Sequence, residues 1–315
     1  RQKIGSAKVS FEEDNDIILV NDNNKELFNF EWRLYGERVS SEIIVKDKHV
    51  YNRQRNDSFN IQKIPSVQSD YKRGAIGAQY TADTLSILIE DDSKEIGNQG
   101  HIDVAQFSST AAIISLGQFI KMAAASHLDV VPDEFSSGVQ IKFSDKARCK
   151  TPTLFLSDSL ENGSGLTRII SKPDTLREII DVHLQEVNWE KPLHRGKCDT
   201  SCANCLRTYQ NLADHHHLDW RLALDMADLL LGRSLNYNRW FDEANLLAKN
   251  FVSNFNKRYG NHTTLNSDVF EGVAVVFDEV RKKCLIFSHP LWNASSSTFN
   301  DLQEEVRYLI NNEVR

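Results

Sequence analysis

The amino-acid sequence predicts a mixed α/β (α+β) fold, and three observations carry that prediction. Strand-like apolar runs alternate with segments whose apolar residues recur at helical spacing; a strand, a glycine turn and a helix follow one another mid-chain; and a strong turn signal near the start sits between two short β-like runs. A chain of 315 residues can bury at least one full core, and ordinary domain sizes make it multi-domain, with two or three units.

In chain order, Ile17-Ile18-Leu19-Val20 runs into Asn21-Asp22-Asn23-Asn24 and then Leu27-Phe28-Asn29-Phe30, which reads as a β-hairpin. The polar text from Arg53 to Gly74 lacks periodicity and reads as a linker, placing a boundary near residue 60. Thr84-Leu85-Ser86-Ile87-Leu88-Ile89 resumes as a strand. Ser108, Ser109 and Thr110 offer N-caps to a largely buried helix in which Ile113, Leu116, Phe119, Ile120 and Ala124 recur, running to about His127. Thr153-Leu154-Phe155-Leu156 reads as a buried strand. Asp158 and the Gly163-Ser164-Gly165 turn follow it, read as structural rather than as a small-molecule loop, and then a helix carrying Leu176, Ile179, Ile180 and Leu184.

Asp219 caps a helix whose Leu222, Met226, Leu229 and Leu230 form one apolar face, with Gly232 as its stop. The tail reads as a helix from Trp240 to Phe255, strands at Val273 to Phe277 and Cys284 to Phe287, and a helix near Leu302 to Ile310; His289-Pro290-Leu291-Trp292 should bury into its core. The predicted organisation is a β-rich N-terminal region over 1–60, a central domain over 61–232 and a small C-terminal α/β unit over 233–315.

Apolar residues make up 40% and charged residues 26%, and no stretch approaches the eighteen or more apolar residues of a membrane helix, so a soluble protein without a membrane partner is expected. The first residue is Arg1, with no secretory leader after it, which predicts a piece of a longer polypeptide. A net charge of -7 argues against coating nucleic acid non-specifically, so any DNA contact must be local. Five cysteines, three of them within eight residues, do not form the spread framework of a secreted disulfide protein; a reducing cytoplasm and a metal fit better.

Cys198-Asp199-Thr200-Ser201-Cys202-Ala203-Asn204-Cys205 spaces its thiols so that one turn can aim all three at a point, as thiolate-binding metals require, and zinc is the expected cofactor. Structural zinc takes four ligands, and the fourth is sought among His194 before the cluster, His215, His216 and His217 after it, and the more distant Cys149. The same C-x3-C-x2-C spacing marks radical enzymes that hold a four-iron, four-sulfur cluster. There, however, the triad sits early and an aromatic residue precedes the last cysteine; here that neighbour is Asn204, and only about a third of the chain follows Cys205.

Several stretches resemble the zinc-binding domain of once-unknown function at the C-terminal end of bacterial superfamily-2 helicases and helicase partners, as in mitomycin-repair helicase and the DISARM and Druantia anti-phage systems. The resemblance covers roughly residues 75 to 232. It rests on Tyr80-Thr81-Ala82-Asp83-Thr84-Leu85, the helix from Ala111 to Leu128 with Pro132-Asp133-Glu134-Phe135 after it, and Ser157-Asp158-Ser159 with Gly163-Ser164-Gly165-Leu166. Its specific part is Cys198-x3-Cys202-x2-Cys205-Leu206-Arg207-x-Tyr209-x-Asn211, then His215 and Leu218-Asp219-Trp220-Arg221-Leu222-Ala223-Leu224-Asp225. The resemblance implies a zinc-stabilised module with Cys198, Cys202 and Cys205 as ligands. Where many relatives show a fourth cysteine, it favours His215, at the family's position before the Leu-Asp-Trp helix start, with His194 as runner-up.

No G-x-x-x-x-G-K-[ST] phosphate loop occurs, so ATP hydrolysis is expected in a separate motor, in cis or as a subunit, and the chain is not expected to be an enzyme by itself. The opposing readings are the radical enzyme or a zinc hydrolase or nuclease, the latter needing an open zinc position with a bound water. Around the cysteines Lys191, Arg195, Lys197 and Arg207 offer phosphate contacts and Tyr209 a stacking face, alongside the plainer possibility of a solvated surface. The whole reads as an accessory module for anti-phage defence or DNA repair, guiding DNA or docking the motor or other subunits.

Overall fold

The computed structural model describes residues 2–21, 28–30, 42–46, 49–53, 72–74, 76–92, 96, 97, 100–160, 164–260, 264–278, 280, 283–292, 304, 305 and 308. The chain divides into two compact units, Arg1–Asp14 with Ala82–Arg315, and Asn15–Thr81. Most neighbouring strands pair antiparallel, and the fold is mixed α/β as expected.

β1 (Gln2–Ile4) turns through Gly5 into β2 (Ala7–Asn21). With β7 (Ile76–Ile89), β8 (Phe135–Ser144) and β9 (Cys149–Asp158) they form a five-stranded sheet in the order β1-β2-β7-β9-β8. Gly5 holds φ +50°, and a Cβ there would lie 2.2 Å from the Gly232 backbone nitrogen, so only glycine lets the turn sit against that segment.

The smaller unit carries β3 (Phe28–Phe30), β4 (Glu42–Lys46), β5 (His49–Arg53) and β6 (Lys72–Gly74) in the order β4-β5-β3-β6. This corrects the hairpin expected between Ile17–Val20 and Leu27–Phe30: β3 has β5 on one side and β6 on the other, so both its hydrogen-bonding edges are taken. Residues 22–27 and 54–71, which hold the expected turn and the boundary near residue 60, lie outside the described residues.

α1 (Phe107–Leu128) packs on β8 and β9 and against α3 (Pro173–Glu186) and α5 (Trp220–Leu230). It is long and apolar enough by composition to cross a membrane, but 67% of that window is buried inside the protein, where Leu116, Phe119 and Ile120 form the core. Its N-cap is Gln106, so Ser108 falls in the first turn and donates to the Pro290 carbonyl at 2.9 Å. Asp158, fully buried at the end of β9, accepts from Gly165 N, Thr167 N and Thr167 Oγ1 and so starts α2 (Leu166–Ile170), bearing out its structural reading. Asp219 caps α5 by accepting from Arg221 N at 2.8 Å, and Gly232 ends it at φ +81°.

The chain's larger unit continues past residue 232. α6 (Phe241–Tyr259) packs on the meander of β10 (Leu265–Phe270), β11 (Val273–Asp278) and β12 (Lys283–Ile286). α5 is buried on every face, including Arg221, Asp225 and Asp228, and its polar side chains tie this tail down. Asp225 accepts from Arg239 Nη1 at 2.6 Å, Trp240 Nε1 at 2.8 Å and His289 Nε2 at 2.8 Å. As expected, Leu291 and Trp292 are core residues, Trp292 stacking on Tyr237. The helix expected near Leu302 to Ile310 lies largely outside the described residues.

Candidate metal centre

The site forms where α4 (Pro192–Arg195) meets the cysteine loop. Pro192 at N1 presets the helical φ, and the turn extends far enough for Cys198 N to donate to His194 O at 3.0 Å. His194 and Cys198, four residues apart, therefore share one side of the turn. The loop then doubles back: Cys205 N and Arg207 N both donate to Cys202 O at 3.1 Å. Cys198, Cys205 and Leu206 join the main core beside Trp220, whose Nε1 donates to Cys198 O.

His194, Cys198, Cys202 and Cys205 bring one ligand atom each into a group lying within 4.8 Å of one another, able to hold a metal ion. Cys198 Sγ and Cys202 Sγ each lie 3.8 Å from Cys205 Sγ, and Cys202 Sγ lies 3.5 Å from His194 Nε2. Tetrahedral geometry with Zn–S about 2.3 Å and Zn–N about 2.0–2.1 Å requires S···S about 3.8 Å and S···N about 3.5 Å. The donor set thus fits one tetrahedral ion. A four-iron cluster puts each thiolate on a different iron and would hold the sulfurs farther apart.

The surroundings favour the same state. His194 Nδ1 lies 2.9 Å from the Trp189 carbonyl, which can only accept; Nδ1 therefore carries the proton and Nε2 presents its lone pair to the thiols. Cys202 N donates to Cys205 Sγ at 3.0 Å. Burial and the neighbouring sulfurs push the Cys198 thiol up, and burial raises Cys205. At Cys202 burial also works upward, but hydrogen bonds from the Asn204 backbone and the other two thiols outweigh it and bring that thiol below its ordinary value. Three thiolates this close repel one another unless a cation is shared among them.

Of the sequence candidates, the structure brings together Cys198, Cys202, Cys205 and His194, and does not bring His215 to them. His215 Nε2 lies 3.0 Å from both Thr208 O and Asn211 Oδ1, closing the loop that follows the cysteines. His216 and His217 lie against each other with ring centroids 3.9 Å apart and the rings tilted, and Cys149 sits at the far end of β9. The missed signal for His194 was the proline-started helical turn, which puts i and i+4 on one side.

The cationic candidates divide. Arg195 pairs with Asp242 at 2.9 Å and Arg207 donates to Ser201 Oγ at 2.9 Å, so both are partly committed to holding the loop in place. Lys191, Lys197 and Tyr209 are exposed, Tyr209 to 87%.

No family model matches the chain. Over 159 residues, 50% of its length, it is 27% identical to Druantia protein DruE of Escherichia coli (strain UMEA 4076-1), and it covers 8% of that protein. A crystal structure of DUF1998 helicase MrfA bound to DNA aligns with 71% of this chain and 26% of that one at 13% identity, with a TM-score of 0.32, too slight a likeness to carry an argument. The similarity to the Druantia protein and the cluster of one histidine with three cysteines both agree with the resemblance that the cysteine motif carries.

Proposed function

We propose that this chain holds one structural zinc ion on His194, Cys198, Cys202 and Cys205 and serves as an accessory module of a DNA helicase in anti-phage defence or repair. The carrying observation is the four-donor group, whose spacing matches one tetrahedral ion and whose two most buried thiols belong to the main core. Four protein donors leave no position for a bound water, so the ion supplies folding energy rather than hydrolytic chemistry, and neither a radical cluster nor a zinc hydrolase is favoured. The helicase link rests on the resemblance of the cysteine motif and its flanking segments to helicase-associated zinc-binding domains, and the anti-phage link on the similarity to the Druantia protein. ATP hydrolysis is assigned to a separate motor, in cis or as a subunit, and the module docks that motor or guides DNA, with Lys191, Lys197 and Tyr209 the exposed candidates near the cysteines in sequence.

Elemental mass spectrometry of the purified protein tests the ligand set. About one zinc per chain is expected, lost in His194→Ala and retained in His215→Ala. Retention in the first and loss in the second would return the fourth ligand to His215, and several irons per chain would overturn the structural-zinc reading.

A further inference from the structure

We propose that the tip of the β8–β9 hairpin is a binding site for single-stranded nucleic acid, distinct from the metal centre. β8 is an edge strand of its sheet, and its outer half leaves the core with Ile141 55% and Phe143 63% exposed. The register sets Phe143 opposite Lys150 and Ile141 opposite Pro152. Opposed residues of an antiparallel pair share a face, so an open aromatic ring stands beside a cation.

Lys142, Lys146, Arg148 and Lys150 are all exposed, against the single exposed carboxylate Asp145 in the same hairpin tip. None of the four has an ion-pair partner among the described residues. Glu90 and Asp92 act on Lys146, but they are already paired with Lys8 and Lys3. In a chain of net charge -7 this is a local reversal of sign. Asp103, which faces the Cys149 thiol at the base of the tip, is the other nearby acid.

Ala147 N donates to Ser144 Oγ at 3.3 Å to close the turn, and Arg148 follows at φ +52°, a turn conformation shared by Asp14 and Glu271, so the turn holds an exposed cation at the tip. Cations that meet phosphates and an exposed ring that stacks on a base are the recognition chemistry of a single strand. Two exposed apolar side chains are too few for a hydrophobic protein interface.

Fluorescence anisotropy of the purified chain with a labelled oligothymidylate across a salt series tests the proposal. Lys146→Gln/Lys150→Gln should weaken binding by about tenfold and lower the slope of log K against log salt by about 0.7 for each phosphate no longer neutralised. Phe143→Ala should weaken binding by about fivefold or more with the slope unchanged. Arg148→Gly should weaken binding while holding or raising the melting temperature, a combination that a merely structural arginine would not give. The proposal is overturned by absence of binding at low salt, or by hairpin variants that bind like the parent while Lys191→Gln/Lys197→Gln does not. It is equally overturned if polyglutamate competes as well as the oligonucleotide and Phe143→Ala is silent, which would mark a surface for acidic protein. Zinc content, measured on the same variants, stays unchanged in every case and keeps this test separate from that of the metal centre.

Discussion

Replacing Asp225 by alanine should be the most damaging single change outside the metal ligands. Its carboxylate is completely buried in α5 and accepts three hydrogen bonds, from Arg239, Trp240 and His289, at 2.6–2.8 Å. Burial works against its charge, but His289 and Arg239 outweigh that and hold the carboxyl below the usual range. Removing one partner of a buried charged network costs about 3–5 kcal/mol, because the remaining donors stay buried without an acceptor. Arg239 keeps Asp228 at 2.7 Å and Glu190 at 3.0 Å, so its charge is not orphaned and the lower part of that range applies to it; the Trp240 and His289 donors have no such substitute. At about 2–4 °C per kcal/mol for domains of 150–250 residues, the melting temperature should fall by roughly 6–20 °C. Asp225→Asn, which keeps an acceptor oxygen but turns an amide toward a donor, should fall between. Circular dichroism melts with zinc present provide the assay. A loss below about 1 kcal/mol for Asp225→Ala would refute the argument that this carboxylate fastens the tail to α5.

Gly5→Ala should destabilise more than a surface glycine change, since φ +50° strain alone costs about 1–3 kcal/mol and the new Cβ would meet backbone atoms of Leu230, Leu231 and Gly232 at 2.2–2.4 Å; urea unfolding beside Gly165→Ala, whose Cβ meets nothing, makes the comparison. His183 has both ring nitrogens buried, without hydrogen-bond partners among the described residues, beside Phe119, and burial lowers its pKa, so the unfolded chain takes up its proton first. Its contribution is present in full above the unfolded value of about 6.5 and is lost as pH falls from there through the lower folded value; His183→Phe should flatten that part of the stability profile, and an unchanged profile would count against it.

What the sequence settled by itself was local. Three thiols within eight residues can reach one point whatever surrounds them, and the strand at Thr84–Ile89, α1, Asp219 as a cap and Gly232 as a stop are all written in nearest-neighbour spacing and backbone preference. The tertiary structure decided which groups meet across distance. β3 pairs with β5 and β6 rather than with β2 because an edge accepts one partner, and the competition among strands is not visible in any one of them. α5 shows an apolar stripe in sequence, yet is buried all round, because Arg239, Glu243 and His289 arrive to satisfy the polar faces. The fourth donor follows the same logic. His194 and His215 are both near the cysteines in sequence, and the fold separates them by giving His215 the carbonyl oxygens of Thr208 and Asn211 while Trp189 O fixes the tautomer that turns His194 Nε2 toward the thiols.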